Sequence, residues 1–99
     1  MGNYHQYSLK SYAKEVIIPE EHFYDENAVH CIFHYDYVER KRWEFVKDLV
    51  KVSKANPNIL ITIVETDEDE TIMRQHQFFN GEHKSVDGKI VFPEINWFN

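Results

Sequence analysis

The sequence predicts an α+β domain in which one helix packs on an antiparallel sheet of four to five strands. Three observations carry that expectation. Phe45, Val46, Leu49, Val50, Val52 and Ser53 recur at spacings of three and four, with Glu44, Lys47, Asp48, Lys51 and Lys54 on the opposite arc, the period of an amphipathic helix. The run Ile59-Leu60-Ile61-Thr62-Ile63-Val64 follows at once and is apolar on both faces, as expected of a central strand covered by that helix. Shorter alternating segments joined by brief connections supply the remaining strands, so the helix and the sheet form two layers.

In chain order, Tyr4 to Ile18 reads as a first strand, with Tyr7, Leu9 and Ser11 alternating with Gln6, Ser8 and Lys10 before the apolar Val16-Ile17-Ile18. Pro19 ends it, and residues 19–27 form an acidic loop whose Phe23 and Tyr24 tuck back onto the core. Ala28 to Tyr35 reads as a second strand, Val29, Cys31, Phe33 and Tyr35 on one face and His30, Ile32 and His34 on the other. Asp36 and Glu39 have the capping-box spacing and open the helix. Asn56-Pro57 closes it, Asn tolerating a left-handed C-terminal position and Pro unable to continue the hydrogen-bond ladder. Beyond the central strand, Glu65 to Glu70 reads as a solvated turn with five acids in six positions. Thr71 to Phe79 and Glu82 to Val86 form a hairpin about Asn80-Gly81, both of which accept positive φ. Asp87-Gly88 marks another turn or bulge, Lys89-Ile90-Val91-Phe92 a last strand, and Pro93 its end.

The 99 residues amount to a single domain spanning 1–99, with 42% hydrophobic and 15% aromatic side chains to fill one core and only three Gly and three Pro, which excludes a disordered chain. Seventeen acids against eleven bases give a formal net charge of −6, which opposes direct binding to a nucleic-acid backbone and suits a basic partner. One cysteine, Cys31, excludes an internal disulfide and fits a reducing compartment. With no apolar run of membrane-spanning length and no basic-plus-apolar leader at Met1-Gly2-Asn3-Tyr4-His5, a cytoplasmic location is expected.

Candidate chemistry is sparse. On an extended strand His30 and His34 stand roughly 13 Å apart, too far for one ion. Cys31 and His34 would point to opposite faces, which rules the pair out both as ligands and as nucleophile and base. The Asp67-x-Asp69 stretch lacks the glycine and distal glutamate of a calcium loop. No phosphate-cradling glycine loop and no Gly-x-Ser-x-Gly elbow is present. The basic trio Arg40-Lys41-Arg42 reads as an exposed first helical turn, balanced by Glu39 and Glu44, with a phosphate contact as the alternative. No catalytic residue, metal ligand or cofactor is expected from these patterns.

Trp43 through the Ser53-Lys54-Ala55-Asn56-Pro57 helix end, the apolar strand, the acid-rich turn, Phe78-Phe79-Asn80-Gly81 and Lys89-Ile90-Val91-Phe92-Pro93-Glu94 together cover roughly the last sixty residues. This half resembles the small ferredoxin-like domains of phage- and plasmid-encoded accessory proteins, a resemblance that implies a mobile-element origin. Charge and resemblance lead to the expectation of a non-enzymatic, acidic interaction protein. Its sharp form is an anti-CRISPR-like inhibitor that occupies the basic groove of a host nucleic-acid-binding effector by imitating phosphates. The contact residues would be Glu65, Asp67, Glu68, Asp69 and Glu70 with Glu20 and Glu21, or the terminal aromatics Trp97 and Phe98. The alternatives are a small metal-dependent enzyme drawing on the His, Asp and Glu supply, favoured if three such side chains converge, and a homo-oligomeric module that closes its edge strands on a second copy.

Overall fold

Residues 4–10, 15–68 and 73–88 are described by the computed structural model. Within them the chain runs β1 (His5–Leu9), α1 (Glu26–Tyr35), β2 (Tyr37–Arg40), α2 (Phe45–Ala55), β3 (Ile61–Asp67), β4 (Met73–Phe79) and β5 (Glu82–Gly88). The strands form one antiparallel sheet in the order β2-β1-β3-β4-β5, placing β3 at the centre as its apolar run requires. Because β2 and β3 each run antiparallel to β1, they are parallel to each other, and α2 is the crossover between them. The element order therefore differs from the β-α-β-β-α-β of ferredoxin-like domains. The α+β class stands, with two helices on the sheet instead of one.

The additional helix is α1, over residues that alternate like a strand. Val29, Cys31, Phe33 and Tyr35 do alternate, but Ala28, Val29 and Ile32 are the residues buried, a one-turn helical stripe, and Tyr35 is 68% exposed. The deciding signal is Asp25, whose Oδ1 accepts from the Ala28 backbone N–H at 3.0 Å and caps the helix. Asp36 does not open the second helix. It closes the first, in the left-handed conformation at φ 63°, and residues 37–40 become β2. Helix α2 begins instead at Phe45, after Glu44, without a side-chain cap.

Helix α2 buries Phe45, Asp48, Leu49, Val52 and Ser53 at helical spacing. Asp48 thus sits on the core side and not on the solvent arc. Its two oxygens accept from the backbone N–H groups of Tyr24 (2.8 Å) and Asp25 (3.0 Å) and from Trp43 Nε1 (2.8 Å). Asn56, just past the helix at φ −131°, is extended and not left-handed. Its side chain exchanges two hydrogen bonds with the backbone of Ile17 and donates to the Val52 carbonyl. Ser53 Oγ accepts from the Gly81 N–H at 2.9 Å. One helix therefore anchors three connections through three buried polar side chains.

The core gathers Tyr7, Val38, Ile61, Ile63 and Phe78 from the sheet, Ala28, Val29 and Ile32 from α1, and Phe45, Leu49 and Val52 from α2, with Phe23 folded in from the loop. Val16 and Ile18 pack against it from residues 15–18, which are not a strand. The hairpin stands as expected, Asn80 at φ 50° and Gly81 at φ 80°. Asp87 and Gly88 continue the β5 ladder opposite Arg74 and Met73 instead of turning. The strand expected at Lys89–Phe92 and the terminal aromatics Trp97 and Phe98 lie outside the described residues.

Three substitutions check this account by chemical denaturation. Leu49→Ala, at a fully buried site, should cost about 2–5 kcal/mol. Asp48→Ala strands three part-buried donors and should cost about 3 kcal/mol or more, with a shift in Trp43 fluorescence. Gly81→Val should cost about 1–2 kcal/mol, since a β-branched residue resists positive φ. Wild-type midpoints for all three would contradict the packing described.

Candidate functional site

The alternation that buries Ile61 and Ile63 does not stop at Val64. It carries Glu65 and Asp67 onto the same covered face of β3, where they are 8% and 6% exposed. Reading them as part of a solvated acidic turn is therefore corrected: they belong to the central strand. An isolated carboxylate there would be costly, and two histidines offset the cost. His5 Nδ1 lies 2.7 Å from Glu65 Oε2, and His76 Nε2 lies 2.9 Å from Glu65 Oε1. His76 Nδ1 in turn lies 2.9 Å from His83 Nε2. The register makes this possible, pairing Tyr7 with Glu65, Ile63 with His76, and His76 with Ser85 across β1, β3, β4 and β5.

Protonation states follow from the pattern. An ionised carboxylate only accepts, so both nitrogens facing Glu65 carry hydrogens. For His5 that leaves Nε2 as the nitrogen able to take or deliver a proton. In neutral His76 it leaves Nδ1 as an acceptor, served by His83 Nε2–H. Burial alone pushes the Glu65 carboxyl up, but the hydrogen bonds and charge of His76 and His5 outweigh it and hold the group below its ordinary range. Burial, and then the Glu65 charge, push the Tyr7 phenol well above its ordinary value. Burial, and then the neighbouring His76, push His83 down.

His5, Tyr7 and Glu65 line an open cavity of about 530 Å³ together with Tyr24, Asp25, Lys41, Arg42, Trp43, Glu44 and Phe45. Three of these lining residues are held in place by Asp48, since Tyr24, Asp25 and Trp43 are its three donors. Trp43 also meets Tyr7 edge-on, with ring centroids 5.1 Å apart. The basic trio is divided. Arg40 ends β2 and binds Asp25 at 2.9 Å and Asn27 at 2.8 Å, while Lys41 and Arg42 form the exposed bend at the cavity mouth, ahead of the helix and not in its first turn. Of the acids around the cavity, Asp25 is paired with Arg40 and Glu65 with two histidines, which leaves Glu44 against two cations.

Comparison of the chain with family models, with characterised proteins and with solved structures finds no match. The remaining expected contact residues are scattered. Glu20 and Glu21 are exposed in the loop before α1, and Glu68 is exposed and accepts from the Tyr4 backbone N–H at 3.1 Å. Asp69, Glu70, Trp97 and Phe98 lie outside the described residues. Among the described residues no three His, Cys, Asp or Glu side chains are grouped as a metal would need, and no helix is long and apolar enough to cross a membrane. The site residues missed from sequence are His5, Tyr7, Trp43, His76 and His83, whereas Lys41 and Arg42 stand out there with a phosphate contact as their alternative reading. The one available signal was the unbroken alternation Ile61, Ile63, Glu65, Asp67.

The histidine–carboxylate chain makes stability depend on pH in two windows. The native His83 binds its proton less readily than the unfolded chain, so stability present above pH 6.5 declines as pH falls below that value. Native Glu65 stays ionised below its ordinary value of 4.5, so its contribution is lost on further acidification, through its folded-state value. Urea midpoints between pH 8 and pH 3 should fall in both windows. His83→Gln should flatten the upper one and Glu65→Gln the lower one.

Proposed function

We propose that the domain is a small acid–base enzyme acting on an anionic ester bound in the cavity behind Lys41 and Arg42. The observation that supports this reading is the grip of buried Glu65 on His5 Nδ1 at the cavity wall. A carboxylate in that position fixes the imidazole's orientation and tautomer, stabilises the imidazolium formed on proton uptake, and leaves Nε2 to do the transfer. His5 is the general acid–base, Glu65 its orienting partner, and His76 the residue that keeps Glu65 in place. Lys41 and Arg42 hold the anion, Arg42 with a planar fork matched to phosphate or carboxylate oxygens. Among the described residues that line the cavity there is no Ser, Thr or Cys, so in this reading the attacking group is water or a hydroxyl of the substrate itself. His5 and His76 meet at Glu65, but these side chains are not grouped as a metal would need and both Glu65 oxygens are occupied by imidazole nitrogens, so the metal-dependent alternative gains nothing here and the chemistry is metal-independent in this reading.

The test is hydrolysis of chromogenic phosphomonoesters, phosphodiesters and carboxylate-bearing esters, with inorganic phosphate as a competitor. A turnover that His5→Ala lowers by about 10²–10⁴ supports the general acid–base role. Lys41→Ala and Arg42→Ala should raise KM more than they lower kcat. Absence of turnover together with absence of phosphate binding would sink the reading. The exposed acids Glu20, Glu21 and Glu68 would then leave the partner-binding inhibitor as the better account of the charge.

A further inference from the structure

The helical state of residues 26–35 reverses the geometry of a histidine pair. Extended, His30 and His34 would be too far apart to share an ion; on α1 they are separated by four residues, about 6 Å along the axis, and lie on one face. We propose that His30 and His34 form a bidentate site for a zinc-class divalent transition-metal ion. Both side chains are exposed, and both line one depression of about 280 Å³ together with Val16, Ile18 and Phe33. Imidazole nitrogen suits Zn²⁺, Cu²⁺ and Ni²⁺, and two histidines at i and i+4 on one helical face is the spacing by which helices present a pair of nitrogens to a single ion.

The position on the helix adds a second reason. His34 lies in the last turn of α1, where the unsatisfied carbonyls and the negative end of the dipole favour a cation. Cys31, one turn before His34, is not a third donor: its Sγ is 3.4 Å from Asn27 Oδ1. Two protein nitrogens leave the other tetrahedral positions to water or to a donor from outside the chain. The site is separate from the Glu65 cluster, where the Glu65-facing nitrogens of His5 and His76 and both oxygens of Glu65 are occupied.

Calorimetric titration of the full chain with Zn²⁺, and separately with Cu²⁺, tests the assignment. One equivalent should bind per chain, Cu²⁺ more tightly than Zn²⁺ as the Irving–Williams order requires. His30→Gln and His34→Gln should each weaken binding at least about tenfold, and circular dichroism should show both folded, because neither side chain is buried. Moving one donor off the face by combining His34→Ala with Tyr35→His keeps six histidines in the chain and should lose the site equally. Cys31→Ser should retain it. The proposal is overturned by the absence of saturable binding, by binding that survives either glutamine variant or the displaced histidine, or by loss of binding in Cys31→Ser.

Discussion

The carboxylate of Asp48 is the interaction on which the rest of the structure depends. It is wholly buried in the first turn of α2. Desolvating a carboxylate costs several kcal/mol. Here the cost is offset by three N–H donors at 2.8–3.0 Å and by the positive end of the helix in which it sits. The three donors serve two structural needs. The Tyr24 and Asp25 amides fix the approach to α1, whose cap is the same Asp25, and the Trp43 indole fixes the bend that leads from β2 into α2. A single side chain thereby sets the relative placement of both helices and of three residues that line the cavity. Ser53 and Asn56 extend the scheme along α2 to the β4–β5 hairpin and to the segment around Ile17.

What could be read from the sequence follows from this. The α2–β3 pair and the Asn80-Gly81 turn were legible because their signals are local: a period of 3.6, an apolar run, two residues suited to positive φ. Helix α1 was not, since in ten residues Val29, Cys31, Phe33 and Tyr35 satisfy the period of a strand while Ala28, Val29 and Ile32 satisfy that of a helix. Only the cap at Asp25 separates the two, and Asp25 also had the look of an ordinary loop acid. Asp36 was ambiguous for a related reason, since an aspartate can both begin a helix and end one.

The candidate site was hidden by distance along the chain. Glu65 meets His5 across 60 residues and His76 across 11, and no window of composition contains all three. A cluster of five acids in six residues suggests a solvated turn, yet its first and third members point into the molecule because β3 continues three residues past the apolar run. The buried network also shows how such a site is tolerated. The carboxylate is stabilised by histidines that are themselves held, His76 meeting Phe45 edge-on and lying nearly coplanar with His83 through their nitrogen contact. Polar and aromatic contacts therefore serve the same few atoms.

The placement of β1 has a consequence for how the molecule comes together. The β3–β4–β5 meander joins neighbours through a hairpin of two turn residues and the connection after Asp67, so its loops are short and inexpensive to close. Strand β1 instead inserts between β2 and β3, pairing Tyr7 with both Val38 and Glu65. Those closures span about thirty and about sixty residues, and the entropy of long loops must be met before their contacts repay it. The meander is thus the natural nucleus, and β1 joins it later together with β2, the edge strand that pairs with β1. Since His5 arrives with β1, assembly of the proton-transferring pair coincides with completion of the sheet, and a partly folded chain would hold Glu65 and His76 without the group they are arranged to serve.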